Sequence, residues 1–513
     1  MKNKILMKRL VYTLLLFLPV MANAQNMYNV TSLLSSNPAG TARFVGMGGS
    51  MGALGGDVSV MGVNPAGTAI YRSGDVNVTA VMDIVNNKSV YGTDLLSKEY
   101  TSFSISDFGF VIACENENSP FKFVNFGMNY RRNVNAGRNF EMNGNPGIFS
   151  QQNVIDGLYR DDPFDITDIS SEMYKGFEYN WLTLLAADGG LTDADGYLLT
   201  DKNDQLIFIP NRFGYYSEER GGVRSLDLNL SANMDDRVYL GATLGVYIAD
   251  YSRYSYYYED DVDGEIYSLV NNYMVEGTGF DLKLGAIFRP FQYSPFKIGV
   301  SVHTPVFYQL MDVSSASIQG PYGDLYDTRD TECYGDDLRV EYSLQTPWRF
   351  NTSMSYTFGQ SVALNAEYEY ANAASTRFSN KTGIGRAQNE EIVCNLKSQH
   401  TVRLGAEFYI KKCALRAGYN YISSPFLNRA YKNLGNATVT DTSTEYMNNF
   451  GKHVGTLGLG YAGKRFYVDI AYMLQSQKSD FYAYSDNYQG NLNPATKVDC
   501  LSHSVVAGVG VRF

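Results

Sequence analysis

The sequence predicts an all-β protein: a transmembrane antiparallel β-barrel of 14 strands with an N-terminal hatch, or plug, inside its lumen. Three observations point there. The chain ends on an alternating strand, with Leu501, His503, Val505, Ala507, Val509, Val511 and Phe513 on one face and Ser502, Ser504, Val506, Gly508, Gly510 and Arg512 on the other. A strand that is apolar to lipid and polar to a lumen needs that period of two. The connections between such strands alternate between short and long. Beyond the N-terminus no apolar run reaches the roughly 18 residues of a membrane-crossing helix, and 48 Gly, 41 Tyr against 2 Trp and a mean hydropathy of -0.23 suit a barrel better than a helical bundle.

Taken in chain order, residues 1–24 read as a signal peptide. Lys2, Lys4, Lys8 and Arg9 precede an apolar run from Leu10 to Met21, and Ala22-Asn23-Ala24 offers the small residues of a cleavage site. The mature chain is expected to start at Gln25, which is not the cysteine of a lipoprotein anchor. With a formal net charge of -11, made more acidic by the loss of four cations, the chain is a poor partner for nucleic acid.

The first barrel strand runs from Asp75 to Ile84 and the last from Val498 to Phe513. Between them six hairpins are expected: Ser102 to Cys114 with Phe121 to Arg132; Ser225 to Met234 with Val238 to Asp250; Gly279 to Arg289 with Phe296 to His303; Leu338 to Phe358, bent at Pro347, with Ser361 to Tyr370; His400 to Ile410 with Cys413 to Tyr421; and His453 to Tyr461 with Phe466 to Met473. Leu226, Leu228, Leu230, Ala232 and Met234 alternate cleanly with Ser225, Asp227, Asn229, Ser231 and Asn233. The remaining connections (85–101, 133–224, 251–278, 304–337, 371–399, 422–452 and 474–497) are long. Strict alternation of short and long connections around an even strand count is the turn-and-loop asymmetry of outer-membrane barrels.

The connection 133–224 is a domain-sized, Asp-rich insertion expected on the extracellular side. Asp193-Ala194-Asp195-Gly196 and Asp261-Val262-Asp263-Gly264 touch on a calcium-loop pattern without completing it, so solvated acidic turns are expected. Cys114, Cys333, Cys394, Cys413 and Cys500 form no CxxC pair; no metal site or cofactor is expected, and pairing of Cys333 with Cys394 stays open.

Residues 25–74 show neither helical nor strand period and are crowded with glycine. A Gly-rich segment follows tight paths and packs closely on a wall, which suits a plug. Asn-Pro-Ala-Gly-Thr-Ala occurs twice, at Asn37 to Ala42 and at Asn64 to Ala69. The run Gly48-Gly49-Ser50-Met51-Gly52-Ala53-Leu54-Gly55-Gly56-Asp57, followed by Asn64-Pro65-Ala66-Gly67 and a first strand, resembles the hatch of the FadL/TodX family of outer-membrane transporters for long-chain fatty acids and other hydrophobic compounds. Ile298 to Pro305 and Thr346-Pro347-Trp348 extend the resemblance along the barrel.

The resemblance implies a non-enzymatic, passive carrier in the outer membrane of a diderm bacterium. A hydrophobic ligand would pass from extracellular loops to a pocket beside the hatch and leave by a lateral opening at a kinked third strand. In this chain that strand switches parity at Asn125-Phe126-Gly127: Phe121 and Phe123 share one face, Phe126, Met128 and Tyr130 the other, the mark of a bulge or kink. Lumen-facing Asp227, Asp281, Lys283, Arg349, Glu367, Glu369, Arg403, Glu407, Arg416 and Asp469 are expected to pair and tie hatch to wall, with Lys283, Arg349, Arg403 or Arg416 free to hold a ligand carboxylate. Expected partners are the hydrophobic ligand, outer-membrane lipid and lipopolysaccharide, and the barrel-assembly machinery; the protein is expected to be a monomer. Two alternatives stay open: a secretion-accessory or binding barrel of the same fold, and an outer-membrane lipid hydrolase, although His303, His400, His453 and His503 sit in no recognisable Ser-acid motif.

Overall fold

A computed structural model of the chain describes residues 27–28, 31, 37–116, 119–147, 150–192, 198–200, 206–379, 385–434, 439–484 and 494–513. The expected signal peptide and the expected acidic turn at Asp193 to Gly196 lie outside the described residues.

Fourteen wall strands form the expected barrel: β1 (Asp75–Tyr91), β2 (Asp94–Glu115), β3 (Phe121–Asn135, continued as Arg138–Gly144), β4 (Arg212–Met234), β5 (Val238–Asp260), β6 (Glu265–Phe288), β7 (Lys297–His303, continued as Phe307–Gln319), β8 (Leu338–Gln345, continued as Arg349–Phe358), β9 (Val362–Asn372), β10 (Ser398–Ile410), β11 (Cys413–Ile422), β12 (Tyr446–Ala462), β13 (Phe466–Tyr482) and β14 (Thr496–Arg512). Neighbours pair antiparallel, and β1 pairs β14 from Asp75↔Arg512 to Val90↔Lys497, which closes the sheet and removes its edges. The period of two decides what faces outward. In β4, Leu230 and Met234 are exposed while Ser225, Asp227, Asn229, Ser231 and Asn233 are buried; in the last strand Leu501, Val505, Val509 and Phe513 are exposed while Ser504 and Val506 are buried. The lower wall is thereby an apolar band around a polar lumen.

The six short turns fall on one rim, the lower one, as expected. At the upper rim several connections are shorter than the sequence suggests. β1 and β2 run on to a two-residue turn at Gly92 and Thr93, and β5 and β6 meet across Asp261 to Gly264. Asp261 Oδ1 accepts from the N–H of Asp263 (2.7 Å) and Gly264 (3.0 Å), so this Asp-rich stretch is a capped hairpin turn. The insertion narrows to residues 145–211, because β3 continues to Gly144 and β4 begins at Arg212. Alternation fades in these extensions because their outer face no longer meets hydrocarbon, and tyrosines such as Tyr254, Tyr256 and Tyr258 are allowed there. The ladder hydrogen bonds continue regardless.

Within the insertion, α2 (Gln151–Asp161), α3 (Ser171–Gly176) and α4 (Trp181–Asp188) cap the upper mouth around Trp181, Leu182, Leu184 and Leu185, packed with Phe213 and Tyr267 of the wall extensions. Glu259, fully buried, staples the cap down. It accepts from Ser150 Oγ (2.8 Å), Gln151 N (2.9 Å), Gln152 Nε2 (2.7 Å) and Tyr257 Oη (2.6 Å), while burial holds its carboxyl above the usual range. All five cysteines are free, so Cys333, buried under the cap, and the exposed Cys394 do not pair.

Candidate functional site

The lumen is filled by residues 37–74, whose short helices are built by caps. Thr41 caps α1 (Ala42–Gly46), Asp57 caps a 3₁₀ turn (Val58–Gly62), and Asn64 caps a second (Pro65–Ile70) with Pro65 at its first position. The two Asn-Pro-Ala-Gly copies are therefore used differently. In the second the Asn caps; in the first the Thr does, and Asn37 instead accepts from Lys452 Nζ at 3.0 Å. Gly48-Gly49 and Gly55-Gly56 are two left-handed pairs that reverse the chain between these pieces.

The hatch seats on glycines of the wall, a feature missed in the sequence although each lies at an inward position. A Cβ on Gly241 would stand 2.4 Å from the Pro65 carbonyl carbon, on Gly285 2.1 Å from Asn64 Oδ1, and on Gly418 2.3 Å from Gly48 N. Asn125-Phe126-Gly127 belongs to this seat. Asn125 Nδ2 donates to the carbonyls of Thr68 (2.8 Å) and Tyr71 (3.0 Å), Gly127 leaves room for Met61, and Phe126 faces outward. Both ladders are unbroken at these three residues; the parity switch comes from a bulge at Lys122. The pairing therefore shows no gap at the expected kink.

The ladder is interrupted higher on the same strand. β2 carries a bulge at Ser106, and β3 pairs with β2 only as far as Asp107↔Arg131. Beyond that point β3 keeps its ladder with β4 alone, and its continuation passes inside the β1–β2 hairpin, where Asn87 Nδ2 donates to the Asn139 carbonyl at 2.7 Å and Ser89 Oγ to that of Glu141 at 2.5 Å. Upper β2 is left with one ladder. Among the described residues no backbone ladder crosses this seam, and side chains bridge it: Arg132 and Asn135 with Asp83 of β1, Asn135 Nδ2 with Ser102 Oγ at 3.5 Å, Asn139 Nδ2 with the Glu99 carbonyl at 3.0 Å and Lys98 with Glu141 at 2.7 Å. Outside it, Phe103 is 76% and Ile105 56% exposed.

The lumen charges resolve into three clusters, mostly within the wall rather than between hatch and wall. Lys283 Nζ lies 2.8 Å from both Asp227 and Asp281; Arg403 pairs with Glu367 (2.8 Å) and Glu369 (3.2 Å); Arg416 pairs with Glu407 (2.7 Å) and Asp469 (2.6 Å). Lys283, Arg403 and Arg416 are thus engaged. Among the described residues no hydrogen bond or ion pair holds Arg349, which projects from the Pro347 break in β8 into a cavity of about 240 Å³ above the hatch. That cavity is walled by Val85, Val134, Ile422, Phe426 and Phe450 on its apolar side and by Arg349, Glu369 and Lys452 on its polar side, and it reaches the seam at Asp83, Asn135 and Gly137. Beside it Met27 is wholly buried in an apolar cluster with Tyr247, Tyr308, Val306 and Phe426, and Tyr28 stacks on Phe426 with ring centroids 5.4 Å apart. None of the histidines joins a Ser-acid pair among the described residues; His303 Nε2 bonds the Val63 carbonyl of the hatch at 2.8 Å.

No family model matches the sequence, and no curated protein does. Solved structures do match over nearly the whole chain. A FadL homologue of Pseudomonas aeruginosa is 13% identical, with a TM-score of 0.54 over 93% of this chain and 99% of that one. The toluene transporter TodX of Pseudomonas putida is 11% identical, with a TM-score of 0.52 over 94% of this chain and 99% of that one. These likenesses bear out, at the level of the fold, the resemblance carried by the hatch motif.

Proposed function

We propose that this barrel sits in the outer membrane of a diderm bacterium, lower rim to the periplasm, and admits hydrophobic compounds by passive uptake. The observation that carries the reading is the continuity of one space: the cavity above the hatch, apolar on one side, runs to a seam in the wall where ladder hydrogen bonds stop. A hydrophobic compound leaving through that seam would enter lipid without crossing water, and the exposed Phe103 and Ile105 flank its exit. The fold shared with a FadL homologue and with the toluene transporter TodX supports passage of hydrophobic compounds. Arg349 gives the cavity one uncommitted cation, which suits an amphipathic ligand with an acidic head. The cavity is small beside the roughly 300–1,000 Å³ of drug-sized ligand sites, so a long acyl chain would have to displace Met27 and Tyr28 from the apolar cluster.

A disulfide across the seam tests the exit. In the double variant Ser102→Cys, Asn135→Cys, whose native side chains already touch, oxidation should stop uptake of a radiolabelled hydrophobic acid, and reduction should restore it. Full uptake through a verified cross-link would remove the seam from the route.

A further inference from the structure

Three of the four histidines face away from the lumen, and they form a repeat. Tyr368 Oη lies 2.7 Å from His400 Nδ1, Tyr419 Oη 2.8 Å from His453 Nδ1, and Tyr472 Oη 2.6 Å from His503 Nδ1. In the ladder the imidazoles stand opposite Tyr370, Tyr421 and Leu474, so each phenol reaches up diagonally from two residues below. The pairs recur on β9–β10, β11–β12 and β13–β14. With strands about 4.8 Å apart, the repeat falls roughly every 10 Å around the wall.

Their height is common. From each histidine the strand descends to the lower rim (His400 to Ile410, His453 to Ala462, His503 to Arg512) over about the 9–11 residues that cross the hydrocarbon of a bilayer. Given the orientation proposed above, the row marks the outer boundary of the hydrocarbon. Directly beneath the first two pairs the lipid-facing wall is hollowed into an apolar recess of about 600 Å³, where Ala366, Ala406 and Ala417 lie low between Leu364, Leu404 and Tyr419.

A phenol donating to Nδ1 fixes the neutral ring as the Nε2–H tautomer, a proton position assigned from the hydrogen bond. Each ring then offers its surroundings a donor only. Among the described residues nothing accepts from any of the three Nε2 atoms, and an N–H left against hydrocarbon is costly. What covers the row must therefore bring acceptors at headgroup depth and hydrocarbon below.

We propose that this face binds a phosphorylated lipid of the outer leaflet, a phosphate accepting from an Nε2–H of the row and an acyl chain lying in the recess. The test uses purified full-length protein in detergent and native mass spectrometry, with three probes at matched concentration: bis-phosphorylated lipid A, dephosphorylated lipid A and phosphatidylglycerol. The wild-type protein should retain phosphorylated over dephosphorylated lipid A by about tenfold, the worth of one hydrogen bond to a charged group. The triple variant His400→Gln, His453→Gln, His503→Gln should lose that preference, and Tyr368→Phe, Tyr419→Phe, Tyr472→Phe, which releases the tautomer, should weaken it in part. Retention of phosphatidylglycerol as firmly as lipid A would assign the row to phosphate in either lipid and support the proposal. Equal retention of dephosphorylated lipid A, or an unchanged preference in a triple variant shown to be folded by heat-modifiable gel migration, would overturn it. Single histidine variants carry the same comparison if the triple variant does not fold. Because uptake is not measured, the outcome is separate from that of the seam cross-link.

Discussion

Arg43 of the hatch grips Glu407 of the wall through two parallel hydrogen bonds, Nε to Oε1 at 3.0 Å and Nη2 to Oε2 at 2.8 Å. A third nitrogen of the same guanidinium, Nη1, holds the Gly56 carbonyl at 2.6 Å, and Arg416 shares Glu407 from the other side. This fork is the main ionic tie between plug and barrel. Bidentate geometry gives it direction as well as strength.

Arg43→Ala should therefore loosen the hatch while the barrel stays folded. Removing one partner of a buried pair costs about 3–5 kcal/mol, and the lower figure applies because Arg416 still compensates Glu407. Planar-bilayer recordings should show open events absent from the parent protein. A closed trace, with the hatch as protease-resistant as before, would assign its retention to packing alone.

Gly241→Val presses a side chain into the backbone at Pro65, and overpacking of this kind costs about 1–3 kcal/mol. Gly455, on the lipid side, has nothing within 4 Å of its would-be Cβ. Thermal unfolding in detergent should show a lowered midpoint for Gly241→Val and none for Gly455→Val. Equal effects at both would mean that the hatch does not need its glycine seat.

Arg349→Gln should weaken binding of a long-chain carboxylate about tenfold, the lower end of the worth of a hydrogen bond to a charged group, and leave the matching alcohol unaffected. Arg403→Gln should behave differently, lowering stability because Glu367 and Glu369 would lose their cation. Titration calorimetry with the acid and the alcohol separates the two cases; equal loss for both ligands would show that Arg349 does not read the headgroup.

Glu391 of α5 (Arg386–Asn395), in the connection above β9, is pushed up to about 7, chiefly by burial. Its carboxyl holds a proton more tightly in the folded loop than in an open one, where about 4.3 is usual. The contribution to loop stability is full below the ordinary value and is lost as pH rises through about 7. Hydrogen exchange over 386–395, corrected for intrinsic rate, should show more opening at pH 8 than at pH 5.5. Glu391→Gln should remove that difference, and its persistence in the variant would point to another titrating group.

Strand order, barrel closure and the outward face were legible in the sequence because lipid imposes one rule on every residue it touches: Leu230, Val505 and their like must be apolar at every second position. The hatch was legible through Asn64-Pro65 and the paired glycines, since capping and left-handed turns are local demands. Above the hydrocarbon the rule lapses, and the long upper strands were hidden in stretches that read as loops. Contacts between distant strands decided the rest. Glu369 lies where either Arg403 or Arg349 has a claim on it, and only the packed lumen gives its ion pair to Arg403 and leaves Arg349 without one among the described residues. The third strand announced a break at Asn125-Phe126-Gly127, yet the ladder fails beyond Arg131, because the hatch anchors the first place through Asn125 while the bulge at Ser106 on the neighbouring strand releases the second. Parity within one strand records that a bulge exists; which ladder it interrupts depends on the partner strand, and that is settled only when the sheet closes.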